Sequence, residues 1–126
     1  MPKASKESST EVKDFGVAVD RAGDLDGYTV NFVSIREDHD LAPMLSGLPG
    51  GRCQCPHWGY VVRGEFRVNY ADHSEVIRAG DAYYLRPGHL TVLTDGTEVV
   101  EFSPTKQLQE TMAVVGANLE KFGAPA

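Results

Sequence analysis

From Trp58 to Phe102 the chain is a succession of short apolar segments that Gly, Pro and Asp interrupt before any reaches helical length. Tyr60 to Val62, Glu65 to Tyr70, Glu75 to Arg78, Ala82 to Leu85, His89 to Leu93 and Thr97 to Phe102 are the segments. Between them stand Arg63-Gly64, Ala71 to Ser74, Ala79-Gly80-Asp81, Arg86-Pro87-Gly88 and Thr94-Asp95-Gly96. Many short strands in series, with turn residues at that frequency, fold into an antiparallel sandwich or barrel. Arg63-Gly64 reads as a tight turn that joins its flanking strands into a hairpin. At 126 residues there is room for one such domain, large enough to bury a core without disulfides.

Upstream, residues 1–13 are polar and aperiodic and are expected to form a flexible tail. Phe15 to Val19 predicts a first strand, Asp20-Arg21-Ala22-Gly23-Asp24 a turn, and Tyr28 to Ile35 a second strand. In that second strand Tyr28, Val30 and Phe32 form the more apolar face and are expected to point inward. Arg36 to Gly51 contains Pro43, Gly47, Pro49 and Gly50-Gly51 and predicts a long irregular loop, of the kind that serves as a lid or rim. Its Leu41, Met44, Leu45 and Leu48 can rest on a barrel mouth or on a second subunit; His39, among acids, reads as solvated.

After Ser103-Pro104-Thr105, a helix-capping sequence, Leu108, Met112, Val115, Leu119 and Phe122 recur at helical spacing. They predict an amphipathic helix that Gly123 and Pro125 end. The expected organisation is a tail over 1–13, a barrel over 14–104 and a helix over 105–122, packed on the barrel or on a dimer interface.

The formal net charge of −6 provides no basic face for nucleic acid or for an anionic membrane. No apolar run approaches the length of a membrane span, and MPKASKESSTEVKD lacks the apolar centre of a secretory signal. The cytoplasm is the expected compartment.

The chemistry concentrates in Cys53 to Gly64, CQCPHWGYVVRG. Cys53, Cys55 and His57 alternate with other residues and share one face wherever the strand is regular. Sulfur and imidazole ligands suit zinc, iron or copper. Two cysteines at that spacing lie roughly 7 Å apart on a strand, which strains a disulfide, so a reducing compartment leaves them as thiols or metal ligands. Cys55, nearer to His57, is the expected ligand, and Cys53 is expected to pack as a small hydrophobe. Trp58 and Tyr60 fall on the face opposite His57, where packing between sheets or across a dimer is expected. One of Tyr83 and Tyr84 enters the barrel, and the pattern leaves open which. Arg63 and Arg86 are candidates to orient an anionic substrate, against the more common role of solvated strand-end charges.

Tyr60-Val61-Val62-Arg63-Gly64-Glu65 resembles the end of the first motif of the cupin superfamily. Gly80-Asp81-Ala82-Tyr83-Tyr84-Leu85-Arg86-Pro87-Gly88 resembles the second motif, the more specific of the two. The resemblance implies an all-β fold, a double-stranded β-helix or jelly-roll barrel, here with a C-terminal amphipathic helix. It also implies a divalent metal ion, a small-molecule ligand and a homodimer. The ligand set departs from the family's three histidines and one glutamate. His57 stands at the family's glutamate position, Cys53 and Cys55 lie near the paired histidines, and Thr91 takes the place of the last histidine. His89, two residues earlier, shares that strand face. The implied site is therefore His57, His89 and Cys55 for the metal, with Glu101, preferred over Glu98, as a catalytic acid on the last strand.

The function this implies is a small metal-binding cupin, holding zinc or iron, that acts on a small oxygenated metabolite by dioxygenation, isomerisation or a lyase or cyclase step. A binding or sensing barrel without turnover is the alternative, and fold alone does not choose between them.

Overall fold

The computed structural model describes residues 3–121. Its strands are β1 (Glu11–Asp14), β2 (Ala18–Leu25), β3 (Tyr28–Ile35), β4 (His39–Asp40), β5 (His57–Arg63), β6 (Glu65–Asn69), β7 (Ser74–Arg78), β8 (Ala82–Leu85), β9 (Leu90–Leu93) and β10 (Glu98–Pro104), followed by helix α1 (Thr105–Lys121). Every pairing is antiparallel, and the strands form two sheets, β1-β2-β3-β10-β5-β8 and β4-β9-β6-β7. Together they make an antiparallel barrel, as the strand pattern predicts, of the jelly-roll form that the resemblance implies. Val61, Phe66, Val68, Tyr70, Tyr83 and Leu85 pack into a core drawn from both sheets.

Several local expectations are corrected. Arg63-Gly64 is not a hairpin turn but a corner between sheets, because β5 pairs with β10 and β8 whereas β6 pairs with β7 and β9. Gly64 turns this corner at φ 81°, and a Cβ there would lie 2.8 Å from the backbone of Thr97. Asp20 to Asp24 is not a turn but the middle of β2, paired residue for residue with β3. The true turn is Asp26-Gly27, where both residues have positive φ, as a two-residue hairpin connection requires.

The inward face of β3 is also the opposite of the one expected. Thr29, Asn31, Val33 and Ile35 line the cavity, so Tyr28, Val30 and Phe32 lie on the other face, where Tyr28 is exposed, Phe32 half-buried and Val30 buried. The misreading has a physical cause: β3 places the polar Thr29 and Asn31 on its cavity side and the aromatic Tyr28 and Phe32 on the other. Tyr28, Trp58, Tyr60, Tyr84 and Phe102 are all exposed on the outer face of the six-stranded sheet. Trp58 is central, with the Tyr84 and Tyr28 ring centroids at 5.1 Å and 6.3 Å.

Glu11 to Lys13, within the stretch expected to be a tail, belong to β1. Before β1, Ala4 lies against Gly23 and Lys6 pairs with Glu98 at 3.1 Å. The loop after β3 contains two short 3₁₀ turns, Ala42–Leu45 and Pro49–Gly51. Leu45 is buried with Cys53 and Cys55, and Leu48, Leu90, Leu108 and Val115 pack on them. The apolar foot of this loop therefore rests on the barrel and α1. Asn118 fastens it by donating hydrogen bonds to the carbonyls of Met44 and Ser46, at 2.7 Å and 2.8 Å. The Leu119 side chain, Phe122, and the helix stop at Gly123 and Pro125 lie outside the described residues. No helix among the described residues is long and apolar enough to cross a membrane.

Candidate metal centre

Two distant segments meet to make the site. Cys53 and His89 are joined by a β-bridge, with the Cys53 amide donating to the His89 carbonyl at 2.9 Å and the Gly88 amide to the Cys53 carbonyl at 2.8 Å. His57 opens β5 beside them, its ring edge-to-face with that of His89 at 5.0 Å. One ligand atom each from Cys53, His57 and His89 lies within 4.8 Å of the other two. All three side chains are buried from bulk solvent and line a cavity of about 920 Å³.

Cys55 is not in this cluster, contrary to the sequence expectation. Its side chain is 1% exposed and packs in the core with Leu45. The alternation argument assumed a strand from Cys53 onward, but β5 begins only at His57 and Gln54 to Pro56 is irregular. Side-chain direction in such a segment does not follow a period of two.

Each imidazole is oriented by a second contact. His89 Nδ1 lies 2.8 Å from the Arg86 carbonyl, which only accepts, so Nδ1 carries the proton and Nε2 keeps its lone pair. His57 Nδ1 lies 2.5 Å from Ser103 Oγ, leaving Nε2 facing Cys53 Sγ at 3.6 Å. Tetrahedral zinc, with bonds of about 2.0 Å to nitrogen and about 2.3 Å to sulfur, sets an S···N separation of about 3.5 Å. The donor set and the Cys53–His57 spacing therefore fit a first-row divalent ion, and contacts of this kind fix metal-ligating histidines.

Burial lowers His57 and His89 to about 4, so both rings are neutral and their lone pairs available. Burial also pushes the Cys53 thiol up to about 11 and the Cys55 thiol up to about 12. Ion capture by Cys53 must therefore release a proton.

Glu101, on β10 one inward position before Ser103, accepts a hydrogen bond from the Tyr83 hydroxyl at 3.1 Å. Burial raises its carboxyl above the ordinary range, opposed by the Tyr83 bond and by His89. Gly59 makes that contact possible, since a Cβ there would lie 2.4 Å from the Tyr83 ring. Glu98 instead faces out, against Lys6 and Arg63.

No protein-family profile and no curated protein matches the sequence. Solved structures do match. An RmlC-like cupin from Shewanella frigidimarina aligns over 80% of this chain and 88% of its own, with 24% identity and a TM-score of 0.55. The chain has the cupin fold. A protein of unknown function from Rhizobium leguminosarum aligns over 82% of this chain and 95% of its own, at 15% identity and a TM-score of 0.61. KdgF from a Halomonas species aligns over 75% and 87%, at 16% identity and a TM-score of 0.50.

Within this cupin barrel the structure places His57 and His89 together, substitutes Cys53 for Cys55, and sets Glu101 in the cavity outside the three-residue cluster. Tyr83 is the tyrosine that enters, and Tyr84 is exposed. Arg63 and Arg86 do not reach the site: Arg63 bonds the Gly96 carbonyl and Glu98, and Arg86 pairs with Asp72 over the Tyr70 ring. His39 lines the cavity from β4, not a solvated loop. Sequence reasoning missed Ser103, Asn31 and Asp20. Only the register of β2, β3 and β10 shows that they face inward, and the Asp-Gly turn at Asp26-Gly27 was the available signal for that register.

The depressed histidines set a pH dependence for the metal-free protein. In the unfolded chain each ring titrates near its ordinary 6.5, and in the fold near 4. Stability from the neutral rings is therefore present above about 6.5 and is lost as pH falls towards 4. Asp20 and Glu101, raised chiefly by burial, contribute in the opposite direction. Thermal midpoints across this range are expected to fall less steeply on acidification in His57→Gln than in wild type; identical slopes would contradict the assignment.

Proposed function

We propose that this protein is a metal-dependent cupin enzyme, holding one zinc or iron ion through Cys53, His57 and His89 and acting on a small oxygenated molecule in the barrel. One observation carries the reading: a thiol and two neutral imidazoles converge within 4.8 Å on the wall of a cavity of about 920 Å³. Three protein ligands leave a position for substrate or water, as in catalytic rather than structural sites. When bound, the ion supplies Lewis-acid polarisation of a substrate oxygen or, as iron, oxygen chemistry. Glu101, with its carboxyl raised by burial, is suited to hold and move a proton inside the cavity. Tyr83 holds Glu101 in place. Dioxygenation, isomerisation, and lyase or cyclase steps are the reaction classes in view. Buried free thiols at Cys53 and Cys55 are in keeping with a reducing cytoplasm.

Elemental analysis of protein made without a histidine tag is expected to find close to one zinc or iron per chain. His57→Ala should lose it, and Cys55→Ser should retain it. Absence of metal from wild type after reconstitution would overturn the reading. Stabilisation by small ligands without product, in metal-loaded protein, would favour a binding module.

We further propose that two copies pair through the exposed aromatic face of Tyr28, Trp58, Tyr60, Tyr84 and Phe102. A contiguous apolar face of this kind marks an interface, and one patch can meet itself across a two-fold axis. Light scattering should give twice the 13.7 kDa chain mass, reverting to the single mass in Trp58→Glu. A monomeric wild type at micromolar concentration would contradict the pairing.

A further inference from the structure

We propose that the barrel takes a small organic amine, with its ammonium held by Asn31 and Glu101 and its hydrocarbon part against the apolar wall. The inference rests on reading the barrel as a small-molecule site, and it adds an amino group to the oxygenated molecule proposed above.

Asn31 on β3 and Glu101 on β10 are directly opposed in register, and both line the cavity. Opposed residues of an antiparallel pair have Cβ atoms about 5 Å apart, so one group can touch both. Asn31 Nδ2 donates to both carboxylate oxygens of Asp20, at 3.0 Å and 3.1 Å. A carboxylate only accepts, so Asp20 fixes the amide with its NH₂ turned away and its Oδ1 left for the cavity. Asn31 is 8% exposed, and among the described residues Oδ1 has no hydrogen-bond partner. Among the described residues no side-chain nitrogen or oxygen that is fully closed off lacks a partner, so this oxygen is reached from the cavity. On Glu101, Oε1 accepts the one proton of the Tyr83 hydroxyl, and Oε2 has no partner among the described residues. With Glu101 ionised, two acceptors on opposed residues therefore stand without a donor among the described residues.

The charge around them selects the donor. Glu11, Asp20, Asp24, Glu37 and Glu101 line the cavity, against Lys13 as its one Lys or Arg among the described residues. Lys13 is exposed and stands across from Asp20 without forming an ion pair with it. A carboxylate or phosphate entering here would be desolvated beside acids, with no arginine to receive it. An ammonium has only donors and gains charge-assisted bonds to Glu101 and Asn31. Phe15, Leu41, Leu93, Leu108 and Met112 supply apolar wall for the remainder of the molecule. The cavity volume of about 920 Å³ suits a small ligand.

A matched series of hexylamine, hexanol and hexanoate tests this by calorimetry and thermal shift, on samples whose metal content is measured in parallel. Hexylamine is expected to bind wild type at least tenfold more tightly than the other two, with and without metal. Glu101→Gln, nearly isosteric, should bring hexylamine down to the level of hexanol, and folded Asn31→Leu should do the same. If Asn31→Leu does not fold, Glu101→Gln decides alone. Hexanol or hexanoate binding as tightly as hexylamine would overturn the inference. So would no binding at millimolar hexylamine, or an undiminished preference in Glu101→Gln. Because metal is measured on the same samples, a missing amine preference in metal-replete protein contradicts this inference alone. Metal-free protein with the preference intact contradicts only the metal centre.

Discussion

The barrel depends on β10 being paired on both edges, with β3 on one side and β5 on the other. That double pairing joins the ends of the chain and fixes which residues of three strands share a face. On its inner face β10 presents Val99, Glu101 and Ser103. Ser103 orients His57 on β5, Glu101 meets Tyr83 across Gly59, and Asn31 stands opposite on β3. A slip of β10 by one residue would turn Val99, Glu101 and Ser103 to the outer face and bring Phe102 and Val100 inside. The inward Glu101, Ser103 and Asn31 and the outward aromatic residues are two consequences of one register.

The Cys53, His57 and His89 cluster depends on a second, smaller constraint, the backbone bridge between Cys53 and His89. Neither residue lies in a regular strand, and the bridge alone sets the thiol beside the imidazole. Burial then does two different things to the donors. It keeps both histidines neutral and ready to coordinate, and it keeps the thiol protonated until an ion displaces the proton. The same enclosure leaves Glu101 Oε2 and Asn31 Oδ1 without a hydrogen-bond partner among the described residues, which is the basis of the proposed preference for an amine.

The fold was legible in the frequency of turn residues between Trp58 and Phe102 and in the two stretches resembling cupin motifs. What was not legible is informative. Arg63-Gly64 has the composition of a hairpin turn, but the flanking strands find other partners, and non-local pairing leaves no local mark. Asp20 to Asp24 looks like a turn because its polar side chains suit solvent, whereas Asp20 is satisfied inside the barrel by Asn31. Face assignment on β3 failed because apolar residues were assumed to point inward, and here Tyr28 and Phe32 look out. For the site, His57 followed from the resemblance, which puts it at the family's glutamate position, and His89 from lying two residues before the family's last histidine position, on the same strand face. The choice between Cys53 and Cys55 turned on where β5 begins, which is a matter of two or three residues.

The central claim, that Cys53 rather than Cys55 joins His57 and His89 on one ion, is tested most directly by the absorption spectrum of cobalt(II)-loaded protein. The account predicts a thiolate-to-cobalt charge-transfer band in wild type and in Cys55→Ser, absent from Cys53→Ser. A band that survives in Cys53→Ser and vanishes in Cys55→Ser, or bound cobalt with no thiolate band at all, would contradict it.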